Sequence, residues 1–360
     1  MGQNPTGKVQ SLVRKRKIYE ICQKYDVLIL EDDPYWSLQY NVSPHEADTT
    51  AGVEDVHSFL GRLAPSYLTI DIDGRVISLQ TFTKIFAPGC RVGWIVAQPR
   101  FIDKLIQTTD GTTQNPSGFA EAALSHIITR EWGIKGFVRW IEGLQVNYKS
   151  RRDVMCEVLL EGRDLLVHQV PEPDMIVDGP EMENSATGHH NHQWKYRTGD
   201  GNQKIRMYDF DIPSAGMYIW LKVNISDHPL SQMAASGKAQ YSPDDIMLRL
   251  WNHLASPPYS LLTLPGVVFG ATSSVKSAVN HLRLTFAAVP AADCKRASQV
   301  FVEGIKSFWQ GKGWDIPSKE ESMKLEEAAK MVAKNEVRRE LRFRDVDDEL
   351  ARVVKHRFRT

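Results

Sequence analysis

Apolar residues along the first third of the chain recur with two alternating periods. Ile18, Ile21, Cys22 and Tyr25 fall at i, i+3, i+4 and i+7, which predicts a helix whose basic face lies over residues 14–17. Residues 27–30 then form a continuous apolar run, Val-Leu-Ile-Leu, suited to a parallel strand buried on both faces. Similar runs at 76–79 and 94–97 predict two more strands. Helices are expected over 100–106 and 118–129. A long amphipathic segment at 137–161 predicts a helix bridging to a second domain. Helix and buried strand in alternation predict an α/β domain with a mainly parallel sheet.

The second half changes character. Residues 171–206 are rich in Pro, Gly, Asp and Asn and carry His189, His190 and His192, with few aliphatics. That composition reads as a solvated insertion rather than a metal centre. Strict alternation returns at 215–223, with Gly216 at the strand's entry. Ser242, Pro243, Asp244 and Asp245 are an N-cap, an N1 proline and two first-turn acids. They open a helix whose apolar face holds Ile246, Leu248, Leu250, Trp251 and Leu254. Leu264-Pro265-Gly266 turns into residues 267–269. A last strand is expected at 281–286 and a last domain helix at 291–309. Beyond it, a charged tail opens with Ser318 and Glu321 at capping-box spacing and reads as a solvated helix. The expected division is 1–136, 137–310 with the polar insertion inside it, and 311–360.

Composition narrows the class. With 360 residues, 42% hydrophobic and 24% charged, the chain is long enough for two cored domains. Lys plus Arg and Asp plus Glu are both 44, so no global field recruits nucleic acid or an anionic membrane. No apolar run approaches a membrane span, and no signal-peptide core opens the sequence. Cys22, Cys90, Cys156 and Cys294 lack CxxC spacing, which suggests neither a zinc site nor a disulfide frame. The cytoplasm is the expected compartment.

Candidate chemistry concentrates in one stretch, Thr81-Phe82-Thr83-Lys84-Ile85-Phe86-Ala87-Pro88-Gly89-Cys90-Arg91-Val92-Gly93-Trp94. A lysine amine adds to an aldehyde when its surroundings help it lose a proton. Arg91 offers a planar fork for a phosphate, with Thr81 and Thr83 as neighbouring hydroxyls. An aldehyde that carries a phosphate, such as pyridoxal 5′-phosphate, meets both demands. The plainer alternative is a surface lysine and arginine bracketing a turn. Upstream, Glu31-Asp32-Asp33-Pro34-Tyr35-Trp36 closes the first strand. Asp32 there either charges a pyridine nitrogen or is one of the acids common at strand ends. Arg283 either clamps a substrate carboxylate or faces solvent.

Taken together, Asn4-Pro5-Thr6-Gly7, Asp32 with Tyr35, Thr81-x-Thr83-Lys84, Arg91 and Arg283 resemble class I/II aminotransferases of fold type I in order and spacing. The wording is similar to aromatic amino acid, kynurenine and 2-aminoadipate aminotransferases, and most similar to fungal aromatic ones. Gly216-Met217-Tyr218-x-Trp220 and Leu282-Arg283-x-Thr285-Phe286 belong to the same pattern, which covers roughly residues 1–310. The resemblance implies a partial pyridoxal-phosphate transferase large domain plus a C-terminal α+β small domain. It implies transfer of an amino group from an aromatic or 2-aminoadipate-like amino acid to a 2-oxo acid, and a homodimer when complete.

It also implies roles. Lys84 would hold the cofactor and move the proton, and Asp32 would pair with the pyridine nitrogen. Tyr35 and Asn4 would contact the ring oxygen, Thr81, Thr83 and Arg91 would hold the phosphate, and Arg283 would clamp the substrate carboxylate, with Asn4 beside it. Members of the family carry a long segment before the Asn-Pro-x-Gly turn, including a helix start that binds phosphate. Its lack here implies weakened cofactor binding and apolar strand edges left open. A catalytically impaired remnant that binds or dimerises is the alternative expectation.

Overall fold

The structure is a computed structural model that describes residues 2–40, 56–168, 202–235, 241–270 and 278–314. The histidine cluster at 189–192 and the tail with Ser318 and Glu321 lie outside the described residues. In chain order the elements are α1 (Leu12–Lys24), β1 (Ile29–Asp32), α2 (Val56–Arg62), β2 (Val76–Thr81), β3 (Gly93–Val96), α3 (Pro99–Gly111), α4 (Gly118–His126) and α5 (Gly133–Gly162). They continue with β4 (Asp164–His168), β5 (Asn202–Arg206), β6 (Tyr208–Phe210), β7 (Tyr218–Val223), α6 (Pro229–Ala235), α7 (Pro243–Ala255), β8 (Leu264–Pro265), β9 (His281–Thr285) and α8 (Ala291–Trp309). Two compact units divide the chain. One comprises residues 1–166, 204–224 and 281–303, the other 167–203, 225–280 and 304–360. Among the described residues no helix is long and apolar enough to cross a membrane.

In the first unit, β1, β2 and β3 form one sheet in that order, β1 parallel to β2 and β3 antiparallel to it. Helix α1 starts where the Ser11 side chain accepts from the Arg14 amide. Its buried residues are Lys15 and Tyr19, while Ile21 and Tyr25 are exposed. The apolar periodicity was therefore half right, since Ile18 packs against the core of Tyr19, Tyr67 and Val76 and Cys22 is half-buried. Lys15 is buried because its ammonium reaches the Pro65 carbonyl at 2.6 Å and the Glu31 carboxylate at 3.4 Å. The Tyr19 hydroxyl bonds Asp71 at 2.9 Å and also Asp73. Polar groups that bring their own partners tolerate the interior. Strand β1 also starts two residues later than the apolar run: the Val27 amide still closes the helix onto the Cys22 carbonyl after a left-handed Asp26.

The same unit holds a second sheet, in which β7 lies antiparallel between β6 and β9. Burial alternates along β7 and β9: Ile219, Leu221, Val223, Leu282 and Leu284 point inward, Tyr218, Trp220, His281 and Arg283 to the other face. Helix α5 braces this sheet. The Tyr208 hydroxyl donates to the Leu159 carbonyl at 2.7 Å and the buried Arg152 donates to the Pro213 carbonyl at 2.8 Å. At its other end α5 shares a core of Val138 and Ile141 with Phe59 and Leu63. A π-helical turn, Ile127–Trp132, separates α4 from α5, which opens at Gly133 with φ 64°.

In the second unit α7 begins with a complete capping box between Ser242 and Asp245. Ile246, Met247, Leu250, Trp251 and Leu254 are buried. His228 is fully buried, with its ring 4.8 Å from Phe308 and 4.6 Å from Trp309, and burial pushes its pKa down to about 3.

Candidate active site

All eight residues singled out from the sequence lie in the first unit. The N-terminal turn is built by glycine geometry. Gly7 takes φ 64°, and a Cβ there would come within 2.4 Å of the Pro213 side chain. Its carbonyl accepts from the Ser214 and Ala215 amides, both at 3.0 Å, so the turn docks on the loop that leads into β7. Docking brings Asn4 next to β9, where its Oδ1 accepts from an Arg283 guanidinium nitrogen at 3.0 Å.

Arg283 in turn lies 4.0 Å over the ring of Tyr218. The two residues are diagonal neighbours across the β7–β9 pair, since Tyr218 stands opposite Thr285 and Trp220 opposite Arg283. Tyr218 meets Tyr35 edge-on, ring centroids 6.0 Å apart, with the two hydroxyls 3.4 Å apart. The Lys84 ammonium lies 6.0 Å from the centre of the Tyr35 ring. A continuous path of contacts thus runs from Lys84 through Tyr35, Tyr218 and Arg283 to Asn4. Tyr218, absent from the sequence-derived site, is its middle member. The signal was there in Gly216-Met217-Tyr218 and in the alternation that puts Tyr218 and Arg283 on one face.

Each acid at the end of β1 has a different fate. Glu31 is buried, where it pairs with Lys15, accepts from the Tyr67 amide and bonds the Ser66 hydroxyl. Asp33 is buried as well, and burial raises its carboxyl pKa. Asp32 alone is exposed. Because β1 and β2 are parallel and Asp32 stands opposite Leu79, the Asp32 carboxylate and the Thr81–Lys84 loop leave the sheet at the same end. Tyr35 is 3% exposed; burial, then Tyr218, pushes its phenol well above the ordinary tyrosine range, with Arg283 opposing. Its hydroxyl therefore stays protonated at neutral pH.

The lysine loop is tightly tied. The Thr81 hydroxyl accepts from the Thr83 amide at 3.0 Å and donates to the Val92 carbonyl at 3.1 Å, so it is committed to the loop itself. Gly93 is required beside it, because a Cβ there would sit 2.7 Å from the Gln80 carbonyl. Arg91 follows a single 3-10 turn, Pro88–Cys90, in the left-handed region at φ 49°, with an exposed side chain. No cluster of metal-ligating side chains occurs among the described residues.

The donor set fits pyridoxal phosphate in kind. An amine for an aldehyde, a protonated phenol for a ring oxygen, a solvated carboxylate for a pyridine nitrogen and a guanidinium for a phosphate are all present within the one unit.

Residues 3–171 match the family model described as aminotransferase class I and II. The chain is 28% identical over 310 residues to an L-tyrosine:2-oxoglutarate aminotransferase of Serpula lacrymans, covering 84% of this chain and 48% of that one. It is 40% identical over 157 residues to an aromatic amino acid aminotransferase of Schizosaccharomyces pombe, covering 43% of this chain and 32% of that one. The crystal structure of aminotransferase Aro8 from Candida albicans superposes with a TM-score of 0.64 at 29% identity, covering 86% of this chain and 56% of that one. The chain spans half or less of the length of these two relatives.

Proposed function

We propose that this chain, of which residues 3–171 match the class I and II aminotransferase model, is a member of that family and serves the pyridoxal-phosphate-dependent transfer of an amino group from an aromatic or 2-aminoadipate-like amino acid to a 2-oxo acid. The observation that carries this reading is the contact path from Lys84 through Tyr35 and Tyr218 to Arg283 and Asn4. It joins a reactive amine to a carboxylate-binding arginine. When bound, the cofactor supplies an electron sink for the bond broken at the substrate Cα.

The residues supply the rest. Lys84 would bind the aldehyde and, once displaced by substrate, would carry the proton between the substrate Cα and the carbon of that former aldehyde. Asp32 keeps the pyridine nitrogen protonated, since a carboxylate beside it favours the charged ring. Tyr35 and the Asn4 amide orient the ring through its oxygen. Arg91 and the Thr83 hydroxyl take the phosphate, while Thr81 shapes the loop that presents them. Arg283 holds the substrate α-carboxylate by its planar fork, and the Tyr218 ring fixes the plane of that fork. The family resemblance further implies a homodimer when the protein is complete, and the sequence composition is that expected of a cytoplasmic protein.

A second reading, a binding or dimerising protein with impaired catalysis, draws on the exposed apolar residues of β1 and β3, Leu30, Trp94, Ile95 and Val96. Borohydride reduction in the presence of pyridoxal phosphate, followed by peptide mapping, decides between them. Label fixed on Lys84 is expected for the transferase. Label scattered over surface lysines sinks it and leaves the second reading.

A further inference from the structure

We propose that Trp140 is a positioning residue for Lys84, holding the backbone just past the lysine so that the amine is presented on the Tyr35 side. This rests on the role given to Lys84 above. The Trp140 indole Nε1–H donates to the Ile85 carbonyl at 2.8 Å, across 55 residues of sequence. Ile85 is buried and its amide bonds back to the Phe82 carbonyl at 3.3 Å, so the indole holds a loop already folded on itself.

The residues around Lys84 are gripped from α5 and from the π-helical turn that precedes it. Phe86 lies 5.6 Å from Trp132 and 6.1 Å from Trp140, and those two indoles pack 5.4 Å apart. On the other side of the lysine, Phe82 meets Phe137 at 6.3 Å and Trp94 at 4.8 Å. Phe82, Ile85 and Phe86 are thus all tied to residues 132–140, while Lys84 reaches Tyr35 instead. The grip depends on Gly136, where a Cβ would stand 2.8 Å from the Trp132 Cβ and displace that indole.

Ring packing alone would fix the loop's height above α5 but not its rotation. A hydrogen bond to one peptide carbonyl next to the lysine does fix that rotation, because the peptide plane is rigid. The donor sits on a 30-residue helix anchored at both ends, which makes it a stiff support.

The test uses Trp140→Phe, which keeps an aromatic ring against Phe86 but removes the donor. Trp132→Phe is the control that disturbs the stack and keeps the donor. Hydrogen exchange is measured on the 360-residue chain without cofactor, and labelling of Lys84 by pyridoxal phosphate and borohydride is followed by time-resolved peptide mapping. Trp140→Phe should speed exchange in residues 82–86 several-fold while β7 and β9 exchange as before. It should slow labelling of Lys84 about three- to tenfold, the usual worth of one hydrogen bond, with no change at surface lysines. Trp132→Phe should keep the Lys84 rate.

Equal Lys84 labelling in Trp140→Phe and wild type overturns the proposal, as does faster exchange spread along all of α5, which marks a merely structural tryptophan. Absence of Lys84 label in the wild-type protein overturns the transferase reading and this role together. That outcome is distinct from failure of the clamp alone.

Discussion

Tyr218→Phe separates two contacts that converge on one side chain. It removes the hydroxyl facing Tyr35 and keeps the ring beneath Arg283. At 3.4 Å the hydroxyl pair is longer than a usual O–H···O bond, so its net contribution to stability is near the bottom of the ordinary range, about 0.5 kcal/mol. The larger effect is on ionisation. Burial is the first cause of the raised Tyr35 pKa and Tyr218 the second. Tyr218→Phe should therefore lower the Tyr35 pKa but leave it above that of a free phenol. Carbon-13 NMR of ring-labelled tyrosine, with Tyr35 assigned by its disappearance in Tyr35→Phe, reads this directly without cofactor or substrate. Tyr218→Ala should behave differently, because it also removes the ring under the guanidinium. Loss of a partly shielded cation–π contact costs about 0.5–2 kcal/mol, or roughly 2- to 30-fold in affinity for a substrate carboxylate. A Tyr35 that titrates identically in wild type and Tyr218→Phe would refute the coupling. Equal losses of carboxylate affinity in the Phe and Ala variants would refute the role of the ring.

Three further outcomes are expected. Arg283→Ala should lower kcat/KM for all α-amino acids alike, by about 2–5 kcal/mol in transition-state binding, and leave Lys84 labelling intact; a loss confined to some substrates removes Arg283 from the carboxylate site. His228, with its pKa near 3 in the fold against about 6.5 unfolded, contributes stability that is present above pH 6.5 and lost as pH falls toward 3. Its share of that loss at pH 4.5 is about 2–3 kcal/mol, and urea midpoints at pH 7 and 4.5 should diverge less in His228→Asn, parallel midpoints being the refuting result. The exposed face bearing Leu30 and Ile95 should bind a hydrophobic dye and drive self-association of the 360-residue chain; gel filtration and dye fluorescence unaltered by Leu30→Lys with Ile95→Lys would show that this face is not responsible.

Local pattern carried the alternating strands β7 and β9 and most helices, because burial there follows the chain's own period, but the apolar runs at β1 and β3, expected to be buried on both faces, expose Leu30, Trp94, Ile95 and Val96. It failed where burial is decided by a distant partner. Lys15 falls in the basic face that the pattern assigns to residues 14–17, yet with Tyr19 it is buried because Glu31, Pro65, Asp71 and Asp73 come to meet them. The same rule sorts the three acids after β1. Strand alternation sets Asp32 on the opposite side from Glu31 and Asp33, but only the buried lysine and the Ser66–Tyr67 corner show that the Glu31 side is the interior one and Asp32 the exposed carboxylate.

The candidate site shows the converse. Its members were legible as short motifs, each dictated by backbone chemistry: a glycine that lets a turn pack at Gly7, another that lets two strands close at Gly93, hydroxyls that bind their own loop at Thr81. What joins the motifs was not legible, because Tyr218 and Trp140 are ordinary β-sheet and helix residues by composition. Tyr218 acquires meaning from a diagonal placement across two strands more than 60 residues apart in sequence, and Trp140 from a carbonyl 55 residues away. The candidate residues were legible from the motifs taken together, each motif alone leaving its plainer reading open. The residues that set the angle at which that chemistry is presented are fixed by tertiary geometry, so substituting them should alter rates and titrations before it alters the fold.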